Sequence, residues 1–110
     1  MSECIFCDLA AGRGGGKLAY QDDAVVAFHD LHPQAPVHVL IVPRQHTPGL
    51  SATEDDALLG RLLAAARRVA ATLALTDYRV VINNGAQAGQ SVFHLHLHLL
   101  GGRPFGWPPG

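Results

Sequence analysis

Short apolar runs separated by turn residues predict β-strands in the first half of the chain. Residues 18–21 and 24–29 are two such runs, and Asp22-Asp23 between them is a turn signal, so together they predict a hairpin. Residues 37–42 form a β-branched run flanked by prolines, which predicts a buried strand.

The second half of the chain predicts one long helix. Ser51 and Glu54 have the spacing of a capping box, in which each side chain accepts a hydrogen bond from the other residue's amide, so the helix is expected to start there. We expect it to end near residues 75–77. The apolar residues of its core-facing side recur at helical spacing: Leu58, Leu62, Ala66, Val69 and Leu73.

The remaining segments complete an α+β domain. Residues 78–83 and 93–100 predict two further strands around a glycine-containing loop, and residues 4–11 predict a short N-terminal helix that stops at Gly12. About five strands are joined mostly by connections too short for parallel crossovers, so the expected fold is an antiparallel sheet with one long helix. The chain has 110 residues and no internal repeat, so residues 1–110 are expected to form a single domain.

Composition and charge narrow the classes of function. The formal net charge is −1 and the 8 lysines and arginines are scattered, so the chain lacks the basic stripe of a nucleic-acid-binding protein. No apolar run approaches the ~18 residues that a membrane helix needs, and the first residues lack the pattern of a signal peptide. We therefore expect a cytoplasmic protein without nucleic-acid or membrane partners.

The segment 94–98 alternates three histidines with leucines. On a strand, the imidazoles of His94, His96 and His98 would share one face, and Phe93 would point with the leucines into the core. His94 and His98 would be ~13 Å apart at Cα, too far to share one metal ion with bonds of ~2 Å, so the three histidines must divide their tasks. The alternative is an ordinary amphipathic strand whose polar face is histidine.

Nucleophilic and acid–base chemistry fits this arrangement, because imidazole is both a nucleophile and a proton carrier near neutral pH. The preceding residues Gly89-Gln90-Ser91-Val92 offer backbone amides and a hydroxyl, and Gly89 permits the close approach of an anion. A phosphate has several oxygens to be bound at once, so this loop suits a phosphate better than a carboxyl ester. The sequence therefore predicts attack by a histidine nitrogen on phosphorus.

The chain resembles the histidine triad family, and within it the nucleoside phosphoramidases of the Hint type. Besides the alternating histidines, the segments that carry the resemblance are 28–30, 33–38, 89–92 and 101–110. The resemblance implies a homodimer whose two sheets are continuous, with a purine nucleotide slot in each subunit. It also implies cleavage of the P–N bond of a purine nucleoside 5′-phosphoramidate through a covalent nucleotidyl-histidine, which releases AMP or GMP and an amine.

The resemblance also implies roles for individual residues. His96 would be the nucleophile, His98 would lie beside the phosphate with its carbonyl orienting His96, and His38 would relay protons. Asp30 would bind the ribose hydroxyls, with a turn aspartate as the alternative. Ser91 would be catalytic as well as a phosphate contact.

The rest of the implied nucleotide site is larger and less specific. Asn83 and the amide of Val92 would join Ser91, Gly89 and Gln90 around the phosphate. Trp107 would reach toward the partner subunit's site. The apolar base slot, whose members could also be plain core, would comprise Ile5, Phe6, Leu9, Phe28, Leu31 and Leu40.

Both cysteines of the chain lie together as Cys4-x-x-Cys7. In a reducing cytosol such a pair favours a metal or redox role over a structural disulfide, but it is only half of a tetrahedral site. Metal-bearing members of the resembled family complete the site with two histidines, which correspond here to His46 and His94. The resemblance therefore implies one structural zinc ion per chain that catalysis does not require. A redox pair or a metal-free pair is the alternative.

Other functions stay open from the sequence. Dinucleoside polyphosphate hydrolases of the same family differ in their C-terminal region, and the ending Trp107-Pro108-Pro109-Gly110 favours the Hint type. Nucleotidyl transferases of the wider superfamily replace the third histidine of the motif, so the presence of His98 argues against them. A nucleotide-binding or scaffolding module with incidental activity belongs to a different class of function and is compatible with the same residues.

Overall fold

A computed structural model describes residues 4–13 and 15–110. Its helices and strands are α1 (Ile5–Ala10), β1 (Leu18–Gln21), β2 (Val25–His29), β3 (Val37–Pro43), α2 (Asp56–Thr72), β4 (Tyr78–Val81) and β5 (Leu97–Gly101). The strands form one antiparallel sheet in the order β1-β2-β3-β5-β4. The predicted α+β fold with one long helix and a short N-terminal helix is confirmed. Within the described part of the chain, neither helix has the length and apolar character that crossing a membrane requires.

The two faces of the sheet have different covers. Because side chains alternate along a strand, Ile41 and Leu97 point to the face that α2 covers, whereas Leu40 and Val42 point to the face where α1 lies. The α2 face carries the larger apolar core. The α1 face is only partly covered by its short helix, so a cavity stays open between α1 and the sheet, and the candidate site lies there.

The predicted capping box at Ser51 and Glu54 is wrong. Ser51 lies in a short 3-10 turn, Leu50–Ala52, and its amide is held by the side-chain oxygen of Asn84 at 3.0 Å. The helix α2 begins later, with Asp55 as its N-cap, whose carboxylate accepts a hydrogen bond from the amide of Leu58 at 3.0 Å. Aspartate caps a helix as well as serine does, so the long-range contact to Asn84 decides which residue is used.

The last strand is shorter than the sequence predicts. β5 begins at Leu97, and residues 93–96 are irregular. The ladder ends because β3 closes with Pro43, which has no N–H to donate. Phe93 is 52% exposed rather than part of the core, whereas Leu95, like the other leucines of the motif, is buried as predicted.

Candidate functional site

His96 is buried at the edge of the cavity, with its ring fixed by a backbone carbonyl. Its Nδ1 donates to the carbonyl oxygen of His94 at 2.7 Å. Because a carbonyl can only accept, this bond places the proton on Nδ1 and leaves the lone pair on Nε2. The expectation that the carbonyl of His98 orients His96 is wrong. His94 precedes β5, so its carbonyl is not occupied by strand pairing and is available to the ring of His96.

His38 and His98 form a second hydrogen-bonded pair. The amide of Gln34 donates to Nδ1 of His38 at 3.0 Å, so neutral His38 carries its proton on Nε2. That nitrogen lies 2.9 Å from Nδ1 of His98 and 3.4 Å from a carboxylate oxygen of Asp30. The neutral ring of His98, accepting at Nδ1, carries its own proton on Nε2. Among the described residues, Nε2 of His98 is a buried polar atom without a hydrogen-bond partner.

The histidines of the site are held in their neutral forms. Burial lowers the pKa of His96, an effect that the bond to the His94 carbonyl partly offsets. Burial, together with the neighbouring His96 and His38 rings, lowers the pKa of His98 to about 4. Near neutral pH the site therefore presents a nucleophilic nitrogen on His96 beside an N–H donor on His98.

The cavity has a volume of about 310 Å³. Asp30, Ser91 and Val92 line it together with His96 and His98. Its apolar wall contains all six residues of the predicted base slot: Ile5, Phe6, Leu9, Phe28, Leu31 and Leu40. The arrangement is a narrow apolar slot that ends in imidazoles, a hydroxyl and a carboxylate, which suits a flat ring attached to a phosphorylated sugar.

Three residues that line the cavity were not among the predicted site residues: Gly16, His29 and His32. Gly16 has a recognisable reason. A Cβ there would lie 3.1 Å from Cδ2 of Leu9 and 3.6 Å from the Phe28 side chain. At this position the lack of a side chain allows the chain to pass close to the apolar wall.

Only part of the predicted phosphate-binding loop reaches the cavity. Ser91 and Val92 reach the cavity, whereas Asn83, Gly89 and Gln90 are not among its lining residues. The Gln90 side chain is buried, donates to the carbonyls of Pro48 and Val92 at 2.7 and 3.1 Å, and accepts from the amide of Gly85 at 2.8 Å. Gln90 therefore braces the loop that presents Ser91.

Trp107 lies outside this cavity. Its side chain is 82% exposed, and its ring is 5.9 Å from Cζ of Arg79. The tail that carries it is fastened to the sheet, since Arg79 donates to the carbonyl of Gly106 at 2.8 Å.

Cys4, Cys7, His46 and His94 come together beside the N-terminus of α1. The Nδ1 atom of His94 lies 3.3 Å from the sulfur of Cys4 and 3.3 Å from the sulfur of Cys7, and Nδ1 of His46 lies 3.2 Å from the sulfur of Cys7. The four candidate ligand atoms all lie within 4.8 Å of one another. Ligands that share one tetrahedral zinc ion lie about 3.3–3.8 Å apart, so the cluster could hold such an ion after small adjustments.

The tautomer of His94 also suits a metal ligand. Its Nε2 donates to the carbonyl of Pro43 at 2.8 Å, which leaves the lone pair on Nδ1, directed at the two thiols. Metal-binding histidines usually donate their other ring N–H in this way. His94 is fully buried and His46 is exposed, so the cluster joins the interior to the surface.

Sequence comparison places the chain among known relatives. A family profile described as "HIT domain" matches residues 15–105. The chain is 62% identical over 111 residues to an uncharacterized HIT-like protein from Synechocystis sp., covering 98% of this chain and 97% of that protein. It is 44% identical over 114 residues to adenylylsulfatase HINT1 from Arabidopsis thaliana, covering 99% of this chain and 78% of that protein.

Solved structures show the same fold. The crystal structure of a HIT family hydrolase from Legionella pneumophila has a TM-score of 0.94 at 40% identity and covers 98% of this chain and 100% of that chain. A histidine triad protein from Clostridium difficile has a TM-score of 0.92 at 35% identity and covers 96% of each chain.

Proposed function

The chain belongs to the HIT family, and from that premise we propose that it is a hydrolase of purine nucleoside 5′-phosphoramidates. The observation that supports this most directly is the hydrogen bond from Nδ1 of His96 to the carbonyl of His94, which leaves the lone pair of a neutral Nε2 for attack. The apolar slot would take the base and Asp30 the ribose hydroxyls. The N–H of His98 and the hydroxyl of Ser91 would contact the phosphate.

The proposed reaction has two steps. In the first, Nε2 of His96 attacks the α-phosphorus, an N–P bond to the enzyme forms, and the P–N bond to the amine breaks as the departing nitrogen takes a proton from Ser91. In the second, water attacks the same phosphorus, the bond to His96 breaks, and the nucleoside monophosphate leaves. Ser91 recovers its proton from that water. His98 would donate to the phosphate throughout, in the tautomer that its bond from His38 favours.

The test is the release of AMP from adenosine 5′-monophosphoramidate by the wild-type protein and a His96→Ala variant. We expect release by the wild type only, and an acid-labile nucleotidyl-protein adduct that the variant does not form. Equal activity in both proteins would contradict the assigned nucleophile. Two inert proteins that still bind AMP would instead support the alternative of a nucleotide-binding or scaffolding module.

The name of one relative suggests sulfate as a second leaving group to test. The name of the Arabidopsis relative states an adenylylsulfatase activity, and that protein is 44% identical to this chain. Attack on the same α-phosphorus with departure of sulfate would use the same His96, Asp30 and slot, so adenosine 5′-phosphosulfate belongs in the assay. A dinucleoside polyphosphate is the third substrate to compare. The ratio of kcat/KM values among the three identifies the preferred leaving group.

We propose that Cys4, Cys7, His46 and His94 hold one structural zinc ion, supported by their mutual distances and by the tautomer of His94. Four protein ligands would close the coordination sphere and leave no position for substrate. Metal analysis of protein purified without chelator should give about one zinc ion per chain. A metal-free protein whose melting temperature is unchanged by added zinc would contradict the proposal and favour a redox or metal-free pair.

We also propose a homodimer in which β4 pairs with its copy to extend the sheet. β4 is an edge strand, and edge strands offer unpaired backbone groups to a partner. Tyr78 on that strand and Trp107 in the tail are 40% and 82% exposed, so both have apolar surface for a second subunit to cover. Sedimentation equilibrium should give twice the chain mass, and a monomer would contradict the proposal.

A further inference from the structure

We infer that Cys4, Cys7 and His94 are positioning residues for the cavity, so that metal at their cluster and nucleotide in the cavity strengthen each other's binding. The inference rests on the proposed function, because it takes the cluster as a metal site and the cavity as a nucleotide site. It adds a thermodynamic coupling between the two.

The first connection is the helix α1. Cys4 is its N-cap, and Cys7 follows in its first turn, so two of the four ligands belong to this segment. Ile5, Phe6 and Leu9 of the same six-residue helix form part of the cavity wall. An isolated helix this short is unstable in water, so tertiary contacts must hold it in place. A metal ion would bind the start of α1 to His46 and His94 of the main body.

The ring of Phe6 is the second connection. Its centroid is 4.8 Å from that of His96 and 6.1 Å from that of His94, both in edge-to-face geometry. Phe6 is 7% exposed and also packs edge to face on Phe28 at 5.7 Å. One side chain, placed between two ligand cysteines, thus touches both the nucleophile and the apolar wall. Movement of the start of α1 would displace all of these contacts.

The third connection is His94 itself. Its Nδ1 faces the two sulfurs, and its carbonyl accepts the hydrogen bond from His96. The same residue is therefore a candidate ligand and the group that sets the tautomer of His96. A metal bond to the side chain would restrain the ring and backbone of His94, and with them the direction of that carbonyl.

The far end of α1 is held in a different way. Nη1 of Arg44 donates to the carbonyl of Ala10 at 2.8 Å, and Arg13 pairs with Asp8 at 3.0 Å. These contacts do not involve the cluster. Loss of metal should therefore loosen the first turn, with Ile5 and Phe6, more than the last. The predicted result is weaker binding of the base rather than general unfolding.

The test is a linkage measurement with Zn²⁺ and AMP, which avoids turnover. The Kd of AMP is measured by calorimetry for metal-free and zinc-loaded protein, and the Kd of Zn²⁺ by chelator competition with and without saturating AMP. Coupling requires both constants to change by the same factor, which we expect to be about 5- to 100-fold in the direction of tighter binding. A merely stabilising metal would leave the AMP constant unchanged at temperatures far below unfolding. That result would overturn the inference.

Two controls locate the coupling. Inorganic phosphate does not reach the apolar wall, so zinc should change its affinity less than that of AMP. His46→Ala removes a ligand that lies outside α1 and is exposed, so the variant should fold and bind zinc more weakly through its three remaining ligands. At a zinc concentration that saturates the wild type but leaves the variant metal-free by chelator competition, the variant should bind AMP like metal-free wild type. An AMP affinity in the metal-free variant equal to that of zinc-loaded wild type would overturn the inference.

The outcomes also separate this inference from its premises. Failure of AMP to bind either form would overturn both the proposed function and the coupling. Failure of zinc to bind would overturn the metal proposal and the coupling but leave the hydrolase proposal standing. Binding of both ligands with no mutual effect would overturn the coupling alone.

Discussion

Nε2 of His38 lies 2.9 Å from Nδ1 of His98, and this hydrogen bond determines which nitrogen of His98 carries the proton. The amide of Gln34 donates to Nδ1 of His38, so the proton of His38 is on Nε2, from which it is donated to Nδ1 of His98. The proton of His98 is therefore on its own Nε2. The N–H at Nε2 of His98 is buried and has no hydrogen-bond partner within the described part of the chain, as expected of a donor that binds a ligand anion.

Replacement of His98 by alanine should therefore lower kcat/KM for the phosphoramidate by about 10- to 150-fold, the value of one hydrogen bond to a charged group. His38→Ala should cost less, because neutral His98 would still adopt the productive tautomer part of the time. Steady-state kinetics on both variants gives the order. A larger loss in His38→Ala than in His98→Ala would contradict this account of the pair.

The same geometry predicts the pH dependence of stability. The usual histidine pKa of 6.5 applies to the unfolded chain, whereas burial and the neighbouring rings lower the pKa of folded His98 to about 4. Between these values the unfolded state binds a proton that the folded state does not. The free energy of unfolding should therefore fall as the pH drops from 6.5 to 4, by about 1.4 kcal/mol per pH unit for this group.

Urea denaturation at pH 7, 6 and 5 checks this prediction, with His98→Gln as the matched variant. The variant lacks the shifted group, so its stability should fall less steeply over the same range. Parallel curves for the two proteins would show that His98 does not contribute to the pH dependence. Both proteins should be measured in chelator, so that metal binding at the cysteines does not add its own dependence on pH.

Asp30 provides a test of how the site recognises the ribose of the substrate. One of its carboxylate oxygens accepts from the amide of His32 at 2.8 Å, and the other lies 3.4 Å from Nε2 of His38. If the carboxylate also binds ribose hydroxyls, Asp30→Ala should lower kcat/KM for a ribonucleotide substrate by about 10-fold or more. The loss should be much smaller for the 2′,3′-dideoxy substrate. An equal loss on both sugars would mean that Asp30 acts through the turn or through His38.

The sequence predicted which residues form the site better than it predicted the hydrogen bonds that orient them. Periodicity is a local property, so the strands, the long helix and the buried leucines of the histidine motif could be predicted from it. The carbonyl that orients His96 could not, because it depends on where the β3–β5 ladder ends, and Pro43 decides that from another strand. The N-cap of α2 was missed for a similar reason, since Asn84 holds Ser51 in a separate turn.

Two glycines also show that local features can be predicted from the sequence, whereas long-range packing cannot. Nothing in the sequence around Gly16 indicates the close packing on Leu9 and Phe28 that the structure shows there. Gly12, by contrast, was predicted to stop α1, and it follows the helix with a φ of +84°, a conformation that favours glycine. A helix end is a local signal, whereas the packing of a loop against a distant strand is not.

Gly102 and Gly60 provide a matched pair of substitutions with opposite expected signs. Gly102 has a φ of +90°, and a Cβ there would lie 2.8 Å from Cβ of Pro36. Gly102→Ala should destabilise the protein by about 1–3 kcal/mol. Gly60 is exposed within α2 and has open space around it, so Gly60→Ala should stabilise by about 0.5–1 kcal/mol.

The Gly102 substitution should also reach the site. Pro36 belongs to the turn whose residue Gln34 donates to Nδ1 of His38, and Arg103 beside Gly102 donates to the carbonyl of Gln34 at 3.1 Å. A side chain pressing on Pro36 would shift the amide of Gln34, which would weaken the preference of His38 for a proton on Nε2. We expect kcat/KM to fall by severalfold as a result. Chemical denaturation and steady-state kinetics on both glycine variants check the pair. Loss of stability in Gly102→Ala with unchanged kcat/KM would show that the turn does not set the tautomer of His38.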